Sequence, residues 1–498
     1  MVSILTLNSC SDFEEINTNP NAATKASSSM LATTLILDIT KNEFSNLGAM
    51  MHDKSLIRME FPEDEQYNYL GRASFDDLTV LNNVEKMIEL APENLKGTYE
   101  AVGRTIRANK FFWLSMRLGD IPYAEALLGE QGLTNPTYST QKEVMVGVLN
   151  ELETADQLFA NGVDFEGDPI YNGDVSKWRK FVNTFELQVL LHLYLKEGDS
   201  DLKVKERFSN IVNNKPIFES NNDNFQLEYS DLAGQRYPFY KLGNTNRLYT
   251  MMSNVMVDKL KDLNDYRMFY YMDPSPVQIE AGADPSSWDS YLGYDPSTVY
   301  ADLTVIFAGK DYSNFNSRYL ELANAEPIYL ISYSMLNFFL AEGALRGWIS
   351  GSANAYYQEG IKASMTFTAG YTPDDALFHH DRVMTTEYID SYIASDKVKL
   401  KTGADFETQL EQIITQRYLS RFMYHAPYDG FFEHRRTGYP EFPLNPSSNL
   451  NIPNDRFPIR WIYPQKELDY NTENVKSAIQ SQYGGDDDYN ETMWILAK

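Results

Sequence analysis

Of the 498 residues only one is a cysteine, Cys10, so no disulfide can form within the chain. No run of 18 or more apolar residues is present, which excludes a helix that crosses a bilayer. Positive charge is scarce: 43 Lys and Arg stand against 70 Asp and Glu, a formal net charge of −27. Such a field repels phosphate backbones and anionic headgroups, which disfavours nucleic-acid binding and broad contact with a membrane surface. It serves solubility, or the meeting with a basic partner. Enzyme signatures are missing too: G-x-S-x-G, H-E-x-x-H, a P-loop and G-x-G-x-x-G do not occur. The six histidines (His52, His192, His379, His380, His425 and His434) are scattered. His192 lies in an apolar stretch and reads as core. His379-His380-Asp381 is the one cluster, and adjacent histidines rarely ligate one metal. Seventy carboxylates make some acid pair unavoidable, so no glycosidase dyad can be singled out. Asp486-Asp487-Asp488-Tyr489-Asn490-Glu491 resembles part of a calcium loop without its glycine and terminal glutamate, and reads as solvated surface. Neither a metal nor a cofactor is expected.

Hydrophobic residues at 43% and charged residues at 23% are ordinary for a globular chain. At the N-terminus, Met1–Leu7 is a short apolar run ending in Asn8-Ser9-Cys10, which resembles the lipobox of bacterial lipoproteins. Residues 1–9 read as a truncated signal peptide, without the usual opening Lys or Arg and with a minimal apolar core. Cys10 is then the lipidated residue, and each buried methylene of its acyl chains contributes roughly 0.8 kcal/mol to anchoring. Asp12-Phe13-Glu14-Glu15 places acid beside the lipid and resembles a signal for export to the outer face of the outer membrane. Residues 10–29, rich in Asn, Thr, Pro and Ser, read as an extended tether.

Residues 30–498 read as one helical domain. Apolar periodicity predicts helices over Met30–Glu43, Phe75–Leu90, Glu93–Leu118, Gln141–Phe159 and Lys177–Lys196. Gly119 is placed to end the third, and Ser139-Thr140 to cap the fourth. Lys177–Lys196 is apolar almost all round and should lie deep. From about 221 to 327 Pro, Gly, Asp and aromatics dominate, with one helix near Met251–Leu263; a segment of that length usually carries function. Ile328–Trp348 and Ala353–Phe367 form an αα-hairpin in which Gly343 and Gly360 let helices approach, as in a tetratricopeptide pair. Leu410, Ile413, Ile414, Tyr418 and Phe422 mark a further helix. The tail from Gly438 reads as Pro-rich and irregular.

Several segments, in order along the chain, together resemble the SusD/RagB-like nutrient-binding outer-membrane lipoproteins. They are Asp12–Asn21, Gly119-Asp120-Ile121-Pro122-Tyr123, Trp178-Arg179-Lys180-Phe181-Val182-Asn183-Thr184, Phe339–Trp348, Ile413–Tyr418, Arg435–Pro440, Arg456–Gln465 and Gly484–Asp487. The resemblance implies a mostly α fold, with four tetratricopeptide-like helix pairs as scaffold and irregular insertions building a ligand face. It implies a non-catalytic binding protein that is lipid-anchored at the cell surface. Its partner would be a SusC-like TonB-dependent transporter, and its ligand an oligosaccharide, or in some members a peptide. Trp178 and the Arg435-Arg436 pair are expected to serve packing and buried ion pairs rather than ligand.

The shared motifs do not locate the ligand, so its site is sought by chemistry. Sugar rings need aromatic platforms for their C–H faces and polar side chains for their hydroxyls. Two segments offer both: Glu65–Arg72, with Tyr67, Tyr69 and Arg72, and Ser287–Asp295, with Trp288, Tyr291 and Tyr294. Glycines 71 and 293 are expected to let backbone approach the ligand. The rival readings are a surface glycoside hydrolase and a tetratricopeptide-like scaffold that binds only protein.

Overall fold

The computed structural model describes residues 26–41, 47–59, 64–241, 246–424 and 428–498. Cys10, the signal segment 1–9, the tether up to residue 25 and His425 lie outside the described residues. The protein is mostly helical, with three two-stranded sheets among the described residues. The scaffold consists of α1 (Ser28–Lys41), α2 (Asn82–Leu90), α3 (Lys96–Leu118), α4 (Gln141–Ala160), α5 (Val175–His192), α6 (Val204–Asn214), α7 (Tyr333–Leu345), α8 (Ala353–Tyr371) and α9 (Phe406–Leu419). Packing is densest between α3 and α4, between α7 and α8, and between α4 and α5.

The long helices start and stop where local chemistry dictates. Thr140 caps α4 in a reciprocal box: Glu143 N donates to Thr140 Oγ1 at 3.3 Å and Thr140 N to Glu143 Oε2 at 2.8 Å. Asp174 caps α5 in one direction only, its carboxylate accepting from Ser176 N and Lys177 N. Gly119 ends α3 at φ +87°, and a Cβ there would stand 2.4 Å from the Tyr483 hydroxyl. In the α7–α8 hairpin a Cβ on Gly343 would meet the Phe208 ring at 2.5 Å, and one on Gly360 the Phe338 ring at 2.9 Å. Gly360 thus lets a ring of α7 sit against α8, as expected of the pair, whereas Gly343 makes room for α6 and not for its hairpin partner.

The motif residues hold the scaffold together. Trp178 is fully buried and donates from Nε1 to Asp168 Oδ2 at 2.8 Å. Arg436 grips Glu342 and Glu433, and Arg435 Nη1 donates to the carbonyls of Met116 and Ile459 at 2.9 and 2.8 Å. Glu186 sits inside the scaffold, 3.5 Å from Arg207 Nη1 and 3.7 Å from Lys215 Nζ. Burial outweighs those cations and pushes its pKa up to about 7. A carboxyl raised in the folded state contributes stability below its unfolded pKa, and that contribution is lost as pH rises toward 7. Glu186→Gln is therefore expected to melt above the parent at pH 8 and to match it at pH 5; calorimetric melts at the two values check this.

Two expectations need correction. The segment 221–327 is not largely irregular with a single helix. It holds helices at Asn254–Leu263, Arg267–Tyr271, Pro276–Glu280, Tyr300–Gly309 and Arg318–Glu321. Its short strands pair antiparallel: Phe225–Leu227 with Ile328–Ile331, Thr250–Met252 with Leu56–Arg58, and Met272–Asp273 with Asn314–Phe315. Most of these elements are two to five residues long, too short for a hydrophobic period to register. They share a core with α8 and α9 through Phe269, Tyr271, Phe315 and Tyr319. Two buried pairs, Arg267–Asp265 and Arg318–Glu326, are fully enclosed in it.

The tail after Gly438 likewise carries helices, Gln465–Tyr470 and Thr472–Tyr483. It returns to the end of α3, where Trp461 N donates to Arg117 O and the Tyr463 hydroxyl to Asp120 O at 2.6 Å. The helices α6, Thr386–Ala394 and Asp429–Thr437 also went unmarked by periodicity.

Candidate functional site

Three distant stretches of chain meet around Tyr67. Residues Asp64–Tyr67 form a 3-10 turn, and the left-handed residues Asn68 (φ +66°) and Gly71 (φ +68°) reverse the chain after it. The Tyr67 hydroxyl donates to Thr298 O at 3.0 Å, while Leu450 N donates to Tyr67 O at 2.9 Å. Asn68 Nδ2 reaches Asn449 Oδ1 at 3.1 Å. Asn445 Nδ2 and the Ser448 hydroxyl both donate to Ser297 O. Between the second and third stretches lies an open groove of about 710 Å³. Asp295, Ser297, Asp302, Asn445 and Ser447 give it hydroxyl, amide and carboxylate groups, and Pro443 and Leu444 give it apolar surface.

The two predicted ligand segments are thus neighbours, joined by the Tyr67–Thr298 hydrogen bond, but most of the predicted side chains are spent on holding the loops. Tyr67 is 6% exposed, and burial pushes its hydroxyl up to about 12. Tyr291 is fully buried, with its hydroxyl on Pro285 O at 2.8 Å and its ring edge-on to Phe269. A ring enclosed in this way offers no face to a sugar. Tyr294 is half-buried and donates to Asp311 O at 2.9 Å. Arg72 donates to Tyr463 O at 2.7 Å and lies 3.7 Å from Asp487, so its guanidinium is engaged. Trp288 is half-buried against Phe269, 4.8 Å between centroids, and turns toward the helices rather than the groove side chains.

Tyr69 remains as the predicted ring with a large free surface. It is 41% exposed and leans edge-on against Tyr489 at 5.8 Å. Gly293 is required by protein, not by ligand: a Cβ there would stand 2.8 Å from the backbone of Ser253 and Asn254.

Some surface was missed. Leu248, Tyr249 and Val305 are 67%, 37% and 73% exposed, and the Tyr249 ring stacks on Phe307. The groove residues Asn445 and Ser447 belong to the tail, where the signal was a charge-free stretch from Pro443 to Pro453 in a chain with 23% charged residues.

The two acids of the buried donor cluster around His192 are already partnered, while the His192 ring nitrogens accept and donate no hydrogen bond among the described residues. Donor atoms of His192, Asp429 and Glu433 lie within 4.8 Å of one another. Asp429 and Glu433, however, are held by Arg417, at 2.8 and 3.1 Å, and Asp429 also by Arg421. The positive charge a metal would bring is therefore present as guanidinium, and burial followed by Arg436 holds His192 well below its ordinary pKa. His379 and His380 do not converge: their Nε2 atoms lie 3.1 Å from Asp374 and 3.4 Å from Asp273 respectively. In the acidic tail segment, Asp487 takes Arg460 at 2.9 Å and the Tyr463 amide, so it packs rather than solvates.

Comparison with known proteins bears on the family and the fold. A family model described as starch-binding, associating with the outer membrane, matches residues 20–464. A crystal structure of a SusD homolog from Bacteroides fragilis NCTC 9343 is 44% identical with a TM-score of 0.92, covering 95% of this chain and 100% of that one. A second SusD homolog from the same organism is 32% identical with a TM-score of 0.84, over 95% and 100% of the two chains. An outer-membrane protein from Bacteroides vulgatus ATCC 8482, described with a role in nutrient binding, is 31% identical with a TM-score of 0.87 over the same shares. Among curated proteins a 186-residue stretch, 35% of the chain, is 24% identical to 8% of the RNA-directed RNA polymerase L of Lymphocytic choriomeningitis virus (strain Armstrong). That overlap covers too little of the polymerase to carry an activity. Members of the matched family are non-catalytic binding proteins with a tetratricopeptide-like scaffold. By the span of the family model and the identity to solved relatives, the chain belongs to the SusD-like family of nutrient- and glycan-binding proteins of the outer membrane.

Proposed function

We propose that this chain captures an oligosaccharide beside Tyr69 and passes it to a SusC-like TonB-dependent transporter, held at the cell surface by a lipid on Cys10. The observation that carries the ligand site is the 41% exposure of the Tyr69 ring. The groove lined by Asn445, Ser447 and Asp302 does not include Tyr69 in its lining and supplies polar groups on the neighbouring loops that meet at Tyr67. A ring face takes the apolar side of a pyranose, and the amide, hydroxyl and carboxylate groups suit its hydroxyls. The lipid and the Asn/Pro/Ser segment after it would hold the protein near its transporter at high effective concentration.

Titration calorimetry against a panel of oligosaccharides, starting with maltooligosaccharides, tests the ligand. Binding without turnover is expected, and Tyr69→Ala should weaken it about tenfold, or ~1.4 kcal/mol. Turnover of any glycan would instead establish a hydrolase, and unchanged affinity in Tyr69→Ala would move the site elsewhere. Cys10→Ala tests the tether: affinity in solution should stay the same while uptake by cells is lost.

A further inference from the structure

A second cleft, of about 640 Å³, opens on the helical scaffold between α2, α3 and the loop Tyr123–Gly132. It shares no lining residue with the groove formed by Asp295–Asp302 and Pro443–Ser447. Its volume is that of a small-ligand pocket. One wall is aliphatic: Leu81, Ile88, Leu127 and Leu128. Leu127 holds φ +67°, a left-handed conformation that brings its side chain and that of Leu128 to the lining.

The floor is a charged lattice. Glu151 bridges Arg104 Nη1 at 3.2 Å and Arg107 Nε at 3.3 Å, and Glu100 takes Arg104 Nε at 2.8 Å. Arg107 also lies over the Phe111 ring, 5.3 Å from its centroid. Its two terminal nitrogens have no acceptor among the described residues, and its side chain is 25% exposed. At the rim, Lys86 pairs with Glu89 at 2.8 Å, which leaves Glu85 and Glu130 without a cation among the described residues.

Three chemistries therefore stand together: an aliphatic wall, an open guanidinium fork and an acidic rim. None of the lining residues is aromatic, so the stacking surface that a sugar ring needs is absent from this lining. We infer that this cleft binds a short zwitterionic peptide, its carboxylate on Arg107, its aliphatic side chain on the leucine wall and its ammonium at Glu85 and Glu130. A guanidinium fork accepts a carboxylate through two parallel hydrogen bonds, which fixes the orientation of the peptide.

The test uses the full chain and the tripeptide Ala-Leu-Ala in three forms: free, N-acetylated and C-amidated. Calorimetry or ligand-observed NMR should detect the free form at millimolar concentration or below. Amidation and acetylation should each weaken binding at least tenfold. In Arg107→Ala the free peptide should bind at least tenfold more weakly, and amidation should then change nothing further. Leu128→Asp, at a half-exposed wall position, should also abolish binding. Oligosaccharide affinity and circular dichroism should be unchanged in both variants, which separates a lost site from a lost fold. The inference is overturned if no form binds, if the capped and free peptides bind alike, if Arg107→Ala binds as the parent does, or if an oligosaccharide displaces the peptide.

Discussion

Arg436→Met is expected to lower the free energy of unfolding by about 3–5 kcal/mol, because it leaves two buried carboxylates short of a cation. Arg436 donates from Nη1 and Nη2 to both oxygens of Glu342, at 2.5 and 2.7 Å, and from Nη2 to Glu433 Oε2 at 2.5 Å. Glu342 stands on α7 and Glu433 on the helix Asp429–Thr437, so one guanidinium ties two elements that are 94 residues apart at their contact. Burial by itself would raise both carboxyls. Arg436 beside Glu342, and Arg417 followed by Arg436 beside Glu433, more than reverse that and hold them below the ordinary carboxylate range. After substitution Glu342 retains Arg346 at 2.7 Å and Glu433 retains Arg417 at 3.1 Å, which is less than each needs when enclosed.

The pH dependence gives the prediction its sign. A carboxyl depressed in the folded state contributes stability above its unfolded pKa and loses it as pH falls through the folded one. The gap between parent and variant should therefore be widest near neutral pH and narrow as the medium approaches pH 4, where the orphaned acids take up protons. Urea unfolding of both proteins at pH 7 and pH 4.5 measures it. A loss below about 1 kcal/mol at pH 7 would show that water or the remaining arginines compensate, and that this network is not what holds the two helices.

Trp178→Ala should cost a comparable amount, about 3–5 kcal/mol, through a cavity rather than a charge. The indole is fully buried, stacked on Phe159 at 5.7 Å and edge-on to Phe225 at 5.2 Å, with Phe181 and Tyr171 closing the remaining sides. Its Nε1 donates to Asp168, whose carboxylate also accepts from the amides of Ile170, Tyr171 and Gly173. That carboxylate organises the turn leading into α5, and the indole anchors it to the core. Trp178→Phe keeps most of the volume and removes only the donor. It should cost about 1.5–3 kcal/mol, the range for a hydrogen bond to a charged group. Equal losses for Ala and Phe would place the whole effect in the hydrogen bond and refute the cavity account.

The two residues show how differently fold and site were written in the chain. Trp178 and Arg436 fall in segments whose order alone pointed to the family, and both proved to be packing devices, as their chemistry suggested. The long helices were legible because an apolar stripe repeated over 14 to 23 residues leaves little room for another reading. Thr140 and Gly119 marked their ends through caps that act within four residues. The insertion between 221 and 327 was misread for the converse reason: Arg267–Tyr271 and Met272–Asp273 are shorter than one hydrophobic period, and they are held from elsewhere, by Gln416 and Tyr392 on the Arg267–Asp265 pair and by Asn314–Phe315 on the short strand.

The tether opened a lipoprotein reading at Cys10, and the ordered motifs carried that reading to a SusD-like binding protein. Sequence by itself determined this much: the family, the helical scaffold and the non-catalytic class, all of which rest on local patterns and on the order of segments. Tertiary structure alone decided which aromatic rings stay available to a ligand. Tyr67, Tyr69, Tyr291 and Tyr294 are alike in composition and neighbourhood. Burial depends on which other segment covers a ring: Thr298 and Leu450 close over Tyr67, and Pro285 and Phe269 over Tyr291, whereas among the described residues Tyr69 has Tyr489 at its edge and stays 41% exposed.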